Sequence, residues 1–346
     1  MSFRNDKLET FRVPMTIVRL LGAINEYKGK QELYFQRSPQ VLKTLRDTAI
    51  IQSTRASNAI EGIVVGNKRL KDIMNNKVQP RSRSEAEIAG YRDVLSTIHN
   101  SYAAINFTPG IILQLHRDLY KFSPSEGGRW KIADNAIEEK LPDGTKFIRF
   151  QPVPAFWTSD AIDELCSGFL LCVNNQSIDP LLLTAATILD FLCIHPFDDG
   201  NGRMARLISL LLLYKFGYEV GRFISLEKII EESKESYYET LYVSSQAWHE
   251  GEHDLVPWTE YFLGVVLNSY RELMERVDVI TSSRGNKSQR VEDAIDHLIG
   301  EFSVEDLRHR CPDISPATID RVLAKLRKEG RISPQGVGRG AKWIKR

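Results

Sequence analysis

The chain has 346 residues, 42% of them hydrophobic and 26% charged, with a net charge of +1. The length exceeds one typical domain, so two or three are expected, and the composition is that of an ordinary globular protein. The charge balance argues against a strongly basic whole-protein nucleic-acid binder, although local basic patches are compatible with it.

No signal-peptide core follows the polar start Met1-Ser2-Phe3-Arg4-Asn5-Asp6-Lys7. Residues 1 to about 35 carry no clear period, and Pro14 is read as breaking any early helix. From Ser38 to Ile60, Val41, Leu45, Ala49 and Ile50 fall near helical spacing, and Gly62 suits the position just past the helix end. Glu61 is the oddity, because a carboxylate there faces the negative end of the helix dipole unless a cation meets it. Helices are predicted over Lys68–Asn76 and Glu85–Ser101, the second with Ile88, Val94, Leu95 and Ile98 on one face. Pro109 opens another, with Ile112, Leu115, His116 and Leu119 inward, and His116 reads as a satisfied core histidine. After a loop at Ser123–Gly128, residues 129–150 alternate, and Asp143-Gly144, flanked by Leu141 and Phe147-Ile148, signals a hairpin turn.

Helices over Ser159–Asn175 and Pro180–Ile194 follow. The run Leu181 to Ile194 is too short to span a bilayer and carries Asp190, so a cytoplasmic chain with no membrane partner is expected. Cys166, Cys172, Cys193 and Cys311 form no C-x-x-C pair, and three lie in apolar helical runs, which predicts small core residues in a reducing compartment. A helix over Ser225–Val243 contains Tyr237 and Tyr238. Trp248, His249, Glu250, Glu252 and His253 lack zinc spacing and read as surface. A last core helix runs from Pro257 to about Val279, and the polar stretch 281–290 reads as a linker.

Beyond it, helices over Val291–Ile299, Val304–His309 and Ser315–Lys328 precede alternation from Ile332 to Ile344 around Gly336, Gly338 and Gly340. Three short helices and a hairpin resemble a winged helix-turn-helix. Residues 303–346 carry eleven Lys/Arg and five Asp/Glu, a net of +6 that leaves about −5 for the rest. Arg321, Lys325, Arg327 and Lys328 on the third helix, with Arg339, Lys342, Lys345 and Arg346 at the wing, fit either a DNA footprint or a solvated docking unit.

The chemistry concentrates between two apolar helices, in His195-Pro196-Phe197-Asp198-Asp199-Gly200-Asn201-Gly202-Arg203-Met204-Ala205-Arg206. Gly200 and Gly202 are expected at positive φ, turning backbone N–H groups toward one point, and a helix beginning near Asn201 adds its positive end. Arg203 and Arg206, three apart, are placed to reach one anion, and Asp199 is a hard oxygen ligand for Mg²⁺ carried on a polyphosphate. His195 is a general base for neutral pH, and Phe197 is expected to pin the loop into the core. A calcium loop fails because Gly200 and Gly202 fall where ligands should be.

Every defined position of this stretch matches H-P-F-x-[D/E]-G-N-G-R-x-x-R, the signature of the Fic family of nucleotidyl transferases, which the chain therefore resembles. The resemblance implies a mainly α fold with a β-hairpin flap, and transfer of AMP from ATP, with Mg²⁺, to a Ser, Thr or Tyr hydroxyl. His195 resembles the base, Asp199 the metal ligand, and Gly200, Asn201, Gly202, Arg203 and Arg206 the phosphate-binding positions. Ser57 and Glu61-Gly62 match the inhibitory pattern [S/T]-x-x-x-E-[G/N], implying that Glu61 pairs with Arg206 in place of the γ-phosphate. Tyr237 and Tyr238 resemble a segment bordering the nucleotide base. The implied partners are a protein substrate docking on the flap at 129–150, the chain itself as target, and a second copy as homodimer. Residues 1–108 are then an inhibitory helical region, 109–280 the catalytic core, 281–290 a linker and 291–346 the winged-helix-like unit, with DNA as a partner through 303–346. The rival reading is a DNA-binding regulator whose core senses nucleotide; removal of AMP at the same site is the third.

Overall fold

The computed structural model describes all residues except 38, 141–144, 283–286, 297, 299, 313, 336–341 and 346. The turn at Asp143-Gly144, with Leu141, and the wing positions Gly336, Gly338, Arg339, Gly340 and Arg346 lie outside the described residues. In chain order come α1 (Met15–Arg37), α2 (Pro39–Ile60), α3 (Asn67–Met74), α4 (Arg83–Ser101), α5 (Pro109–Leu119), β1 (Ile137–Lys140), β2 (Lys146–Phe150), α6 (Thr158–Asn175), α7 (Pro180–Ile194) and α8 (Asn201–Lys215). They are followed by α9 (Leu226–Glu232), α10 (Lys234–Ser245), α11 (Val256–Ser282), α12 (Lys287–Asp296), β3 (Phe302–Ser303), α13 (Val304–Arg310), α14 (Pro316–Lys328), β4 (Ile332–Gln335) and β5 (Lys342–Lys345). The fold is mainly α, as the sequence predicts.

α7 is apolar on every side and buried from Leu181 to Ile194, the pattern of a helix at the centre of a domain. It packs on α6, α8 and α11, while α4 lies across α8, α2 runs beside α4 and α9, and α1 covers α11. Side chains drawn from Met1 to Val277 build this main core, Leu70, Ile73, Ile88 and Ala89 form a small cluster between α3 and α4, and Val291 to Ile332 build a separate one.

Several boundaries differ from the sequence reading. Pro14 does not break the first helix but precedes it, its carbonyl accepting from the Val18 N–H at 3.1 Å. The predicted helix over Ser225–Val243 is two, α9 and α10, parted at Ser233. The stretch 281–290 is not linker throughout, because α11 runs to Ser282 and α12 begins at Lys287. Among the described residues of 129–150 the alternation is strand in β1 and β2 alone, which pair antiparallel. In the C-terminal unit the unpredicted β3 joins β4 and β5 in an antiparallel sheet of order β3-β5-β4.

Candidate active site

The loop between α7 and α8 is held from below before any function is considered. His195 ends α7 in the left-handed region (φ 51°) and Gly200 opens α8 with φ 84°. Gly202 is helical, not at positive φ as expected; its reason is space, since a methyl there would overlap Glu61 Oε1 and lie 3.2 Å from Arg206 Nη1. Phe197 is fully buried and stacks on His116 with centroids 3.6 Å apart and planes 6° from parallel. Gly128 N–H donates to His116 Nδ1 (2.9 Å), so Nε2 carries the proton and donates to the Asp199 carbonyl (3.1 Å). Burial pushes His116 down to about 4, so it stays neutral while tying α5 to the loop. The core histidine foreseen from sequence thus also braces the site.

Asn201, expected to cradle phosphate, spends its side chain otherwise: Oδ1 accepts from Phe197 N–H (2.9 Å) and Nδ2 donates to Phe197 O (2.7 Å). Lys131, which sequence reasoning passed over, adds a third brace. Its N–H donates to Pro196 O (2.8 Å) and its buried Nζ donates to Ile194 O (3.1 Å) and Asn135 Oδ1 (2.8 Å). Burial lowers the lysine to about 8. No motif marks it, because its work is done through backbone carbonyls.

Above this frame opens a cavity of about 270 Å³ lined by Glu61, His195, Asp199, Gly200, Gly202 and Arg206, with Tyr237 and Tyr238 on the far wall. His195 Nδ1 lies 3.2 Å from Leu192 O; a carbonyl only accepts, so Nδ1 is protonated and Nε2 keeps its lone pair. Burial pushes the imidazole down to about 4. His195 is therefore neutral at pH 7, although it does not titrate near neutrality as the sequence reading expects.

The two arginines part company. Arg203 was expected beside Arg206 on one anion; instead its side chain is 1% exposed and points under α8. There it donates to Glu87 Oε2 (2.6 Å) and the Tyr120 hydroxyl (3.0 Å). A buried guanidinium needs a carboxylate, and Glu87 on α4 was the nearer one. Arg206 does line the cavity. Its Nε donates to Ser57 Oγ (2.8 Å), and its Nη2 donates to Ser57 O (2.9 Å) and Glu61 Oε1 (2.7 Å). Its Nη1 is buried and, among the described residues, makes no hydrogen bond of strict geometry, although the Tyr237 hydroxyl interacts with the same guanidinium.

Glu61 arrives through the end of α2. Ile63 N–H bonds to Asn58 O (2.9 Å) and Gly62 takes φ 78°, a left-handed helix stop that throws Glu61 toward α8. The cation that the sequence demanded for this carboxylate is Arg206. Asp199 Oδ1 accepts from Gly200 N–H (2.7 Å), and Oδ2 lies 3.0 Å from Arg83 Nη2 and 3.6 Å from Arg203 Nη2. Burial alone would raise this carboxyl; Arg203, the Tyr120 hydroxyl, the Gly200 N–H and Arg83 hold it below the ordinary value.

Two residues read as surface belong to the core. Trp248 and His253 are each 2% exposed. Trp248 Nε1 donates to Asp190 Oδ1 (2.6 Å), which also accepts from Ser2 Oγ (2.9 Å), and His253 Nε2 sits 3.0 Å from that hydroxyl. Asp190, buried one turn before His195, required these partners, and no local pattern could announce them.

A fully buried helix, a clamped turn and a second helix that starts at that turn define a mainly helical core built around one anion-competent loop. Residues 106–213 match the model of the Fic/DOC family. It is similar to Protein adenylyltransferase Fic of Nematostella vectensis, 25% identical over 176 residues, 49% of this chain and 39% of that protein. It is likewise similar to Protein adenylyltransferase fic-1 of Caenorhabditis elegans, 26% identical over 179 residues, 51% of this chain and 30% of that one. The chain thus spans well under half the length of these curated relatives. Among solved structures, a Fic family protein from Desulfovibrio desulfuricans G20 shares the fold across 97% of both chains, with a TM-score of 0.62 at 21% identity. C. elegans Fic-1 (aa134–508) covers 78% of this chain, and 72% of its own is matched, at a TM-score of 0.58 and 20% identity.

Proposed function

We propose that the chain is a protein adenylyltransferase that moves AMP from ATP to a hydroxyl of a target protein and is held inactive by Glu61. The observation that carries this reading is a cavity lined by His195, Gly202 and Arg206 at the N-terminus of α8, where the buried Arg206 Nη1 has no hydrogen bond that meets strict geometry among the described residues. A buried donor without a partner invites an oxygen, and the N-terminus of α8 favours an anion there.

Supporting the chemistry, His195 Nε2 is free to take the proton of an incoming hydroxyl. That hydroxyl oxygen attacks the α-phosphorus, the bond to the bridging oxygen breaks, and pyrophosphate leaves. Arg206 and the α8 backbone hold charge on the phosphates. Asp199 suits Mg²⁺: it is half exposed and faces the cavity. Among the described residues no group of three or more His, Cys, Asp or Glu could hold a metal alone, so the phosphates would bring the other ligands. When bound, the ion would neutralise polyphosphate charge. Tyr237 and Tyr238 on the cavity wall suit the base, and β1–β2 suits a target segment docked as a further strand.

Glu61 takes a hydrogen bond from Arg206 Nη2, and on this reading it competes with an outer phosphate for that donor. A charge-assisted bond of about 1.5–3 kcal/mol corresponds to about 10- to 150-fold in productive ATP affinity. Mass spectrometry of Glu61→Gly protein incubated with ATP tests both claims. Addition of AMP to this chain or to an added protein is expected; no transfer from the variant refutes the reading. The same incubation, started from modified protein, reports any removal of AMP.

A second reading rests on the C-terminal unit, whose separate core, three helices and three-stranded sheet suit a winged-helix module. Arg321, Arg327 and Lys328 are exposed on α14, while Lys325 is engaged by Glu292 at 2.8 Å. Operator-like DNA binding that weakens steeply with salt, without AMP transfer, would favour a regulator.

A further inference from the structure

We infer that Arg83 is a positioning residue, the exchangeable counter-ion of Asp199, which turns to the nucleotide's phosphates when a divalent cation takes that carboxylate. This rests on the nucleotide reading above and concerns a side chain of α4 well outside the loop.

Asp199 presents its two oxygens differently. Oδ1 is occupied by the Gly200 N–H, and Oδ2 meets two guanidinium groups, Arg83 at 3.0 Å and Arg203 at 3.6 Å. Arg203 is immobile: buried, and bonded to Glu87 and Tyr120. Arg83 is 68% exposed. A divalent cation and both guanidinium groups cannot crowd one oxygen, because like charges in contact repel strongly. The group able to yield is Arg83, and an exposed ion pair costs little to break.

Arg83 does not leave when it yields. Its Nε donates to Glu87 Oε1 at 2.6 Å, and Glu87 is 2% exposed and fixed from its other oxygen by Arg203. The guanidinium therefore pivots on that bond with its Nη donors released beside Asp199, which itself lines the cavity. A planar fork freed beside a polyphosphate finds paired oxygens, the geometry that guanidinium recognises best. Glu87 thus serves both arginines, locking one under α8 and leashing the other above it.

The test uses the full chain with Glu61→Gly, isothermal titration calorimetry and α,β-methylene-ATP, which cannot transfer AMP. Adding Arg83→Ala removes both the competitor for Asp199 and the phosphate contact. The magnesium concentration for half-maximal binding should fall two- to five-fold, while the analogue's Kd at saturating magnesium should rise about three- to ten-fold. A bracing role alone would move both quantities upward or neither. A midpoint that does not fall, or an unchanged Kd at saturating magnesium, overturns the inference. If Glu61→Gly alone binds no magnesium–analogue complex, the nucleotide reading falls with it; if it binds and Arg83→Ala changes nothing, only the role of Arg83 is lost.

Discussion

His195 shows how much of a residue's chemistry lies outside its own side chain. Leu192 O fixes the tautomer and burial lowers the pKa to about 4, so the neutral, proton-accepting form exists throughout the physiological range. The sign follows directly: a base works when deprotonated, so activity is lost as pH falls through the depressed value and not through 6.5. For Glu61→Gly protein, kcat/KM should stay level on its acid side from pH 7 to about 5.5 and decline toward 4. A decline centred near 6.5 would contradict this. That His195, Asp199 and Arg206 line one cavity was legible because a turn, two glycines and charged residues fell within twelve positions. The direction taken by Arg203 was not, because spacing along a helix gives a face and cannot say which carboxylate waits on it.

At the scale of elements, α2 and α8 meet at one point, where the Glu61 carboxylate lies over Gly202 and bonds to Arg206. Two substitutions there should part ways. Glu61→Gly empties the position and should raise nucleotide affinity by about 10- to 150-fold. Gly202→Ala should also break the pair, since its methyl overlaps Glu61 Oε1, yet it fills the same space beside Arg206 Nη1. Calorimetry should therefore find weak nucleotide binding in Gly202→Ala, and no recovery when Glu61→Gly is added. Recovery in the double variant would mean that the nucleotide does not approach Gly202. The end of α2 was readable from Gly62, but Pro14 misled at α1, because proline is equally at home just before a helix and inside a break. β3 was too short, at two residues, to show a period, and it exists only because β5 pairs with it.

At the scale of the molecule, the central charges are compensated over long stretches of sequence. Asp190 depends on Ser2 and Trp248, Arg203 on Glu87, and Arg206 on Ser57 and Glu61. Each of these partners lies outside residues 106–213, the stretch that matches the family model. Apart from Glu61, which a second motif marks, a sequence read locally finds the loop and misses the partners of its buried polar groups; this is why Trp248 and His253 read as surface. The stretch that carries the signature is for the same reason not a stand-alone domain. Cut free, residues 106–213 would lose the Glu87 and Glu61 carboxylates that pair Arg203 and Arg206 and the neutral donors that satisfy Asp190, leaving Arg203 only Asp199 and Tyr120, a loss of about 3–5 kcal/mol for each broken ion pair against a total stability of about 5–15 kcal/mol. Circular dichroism of that fragment should show little cooperative melting, and a sharp transition would refute the point. Recognition by signature and autonomy of folding thus part company in this chain: the portion most easily matched to other proteins is the portion least able to exist without its flanks.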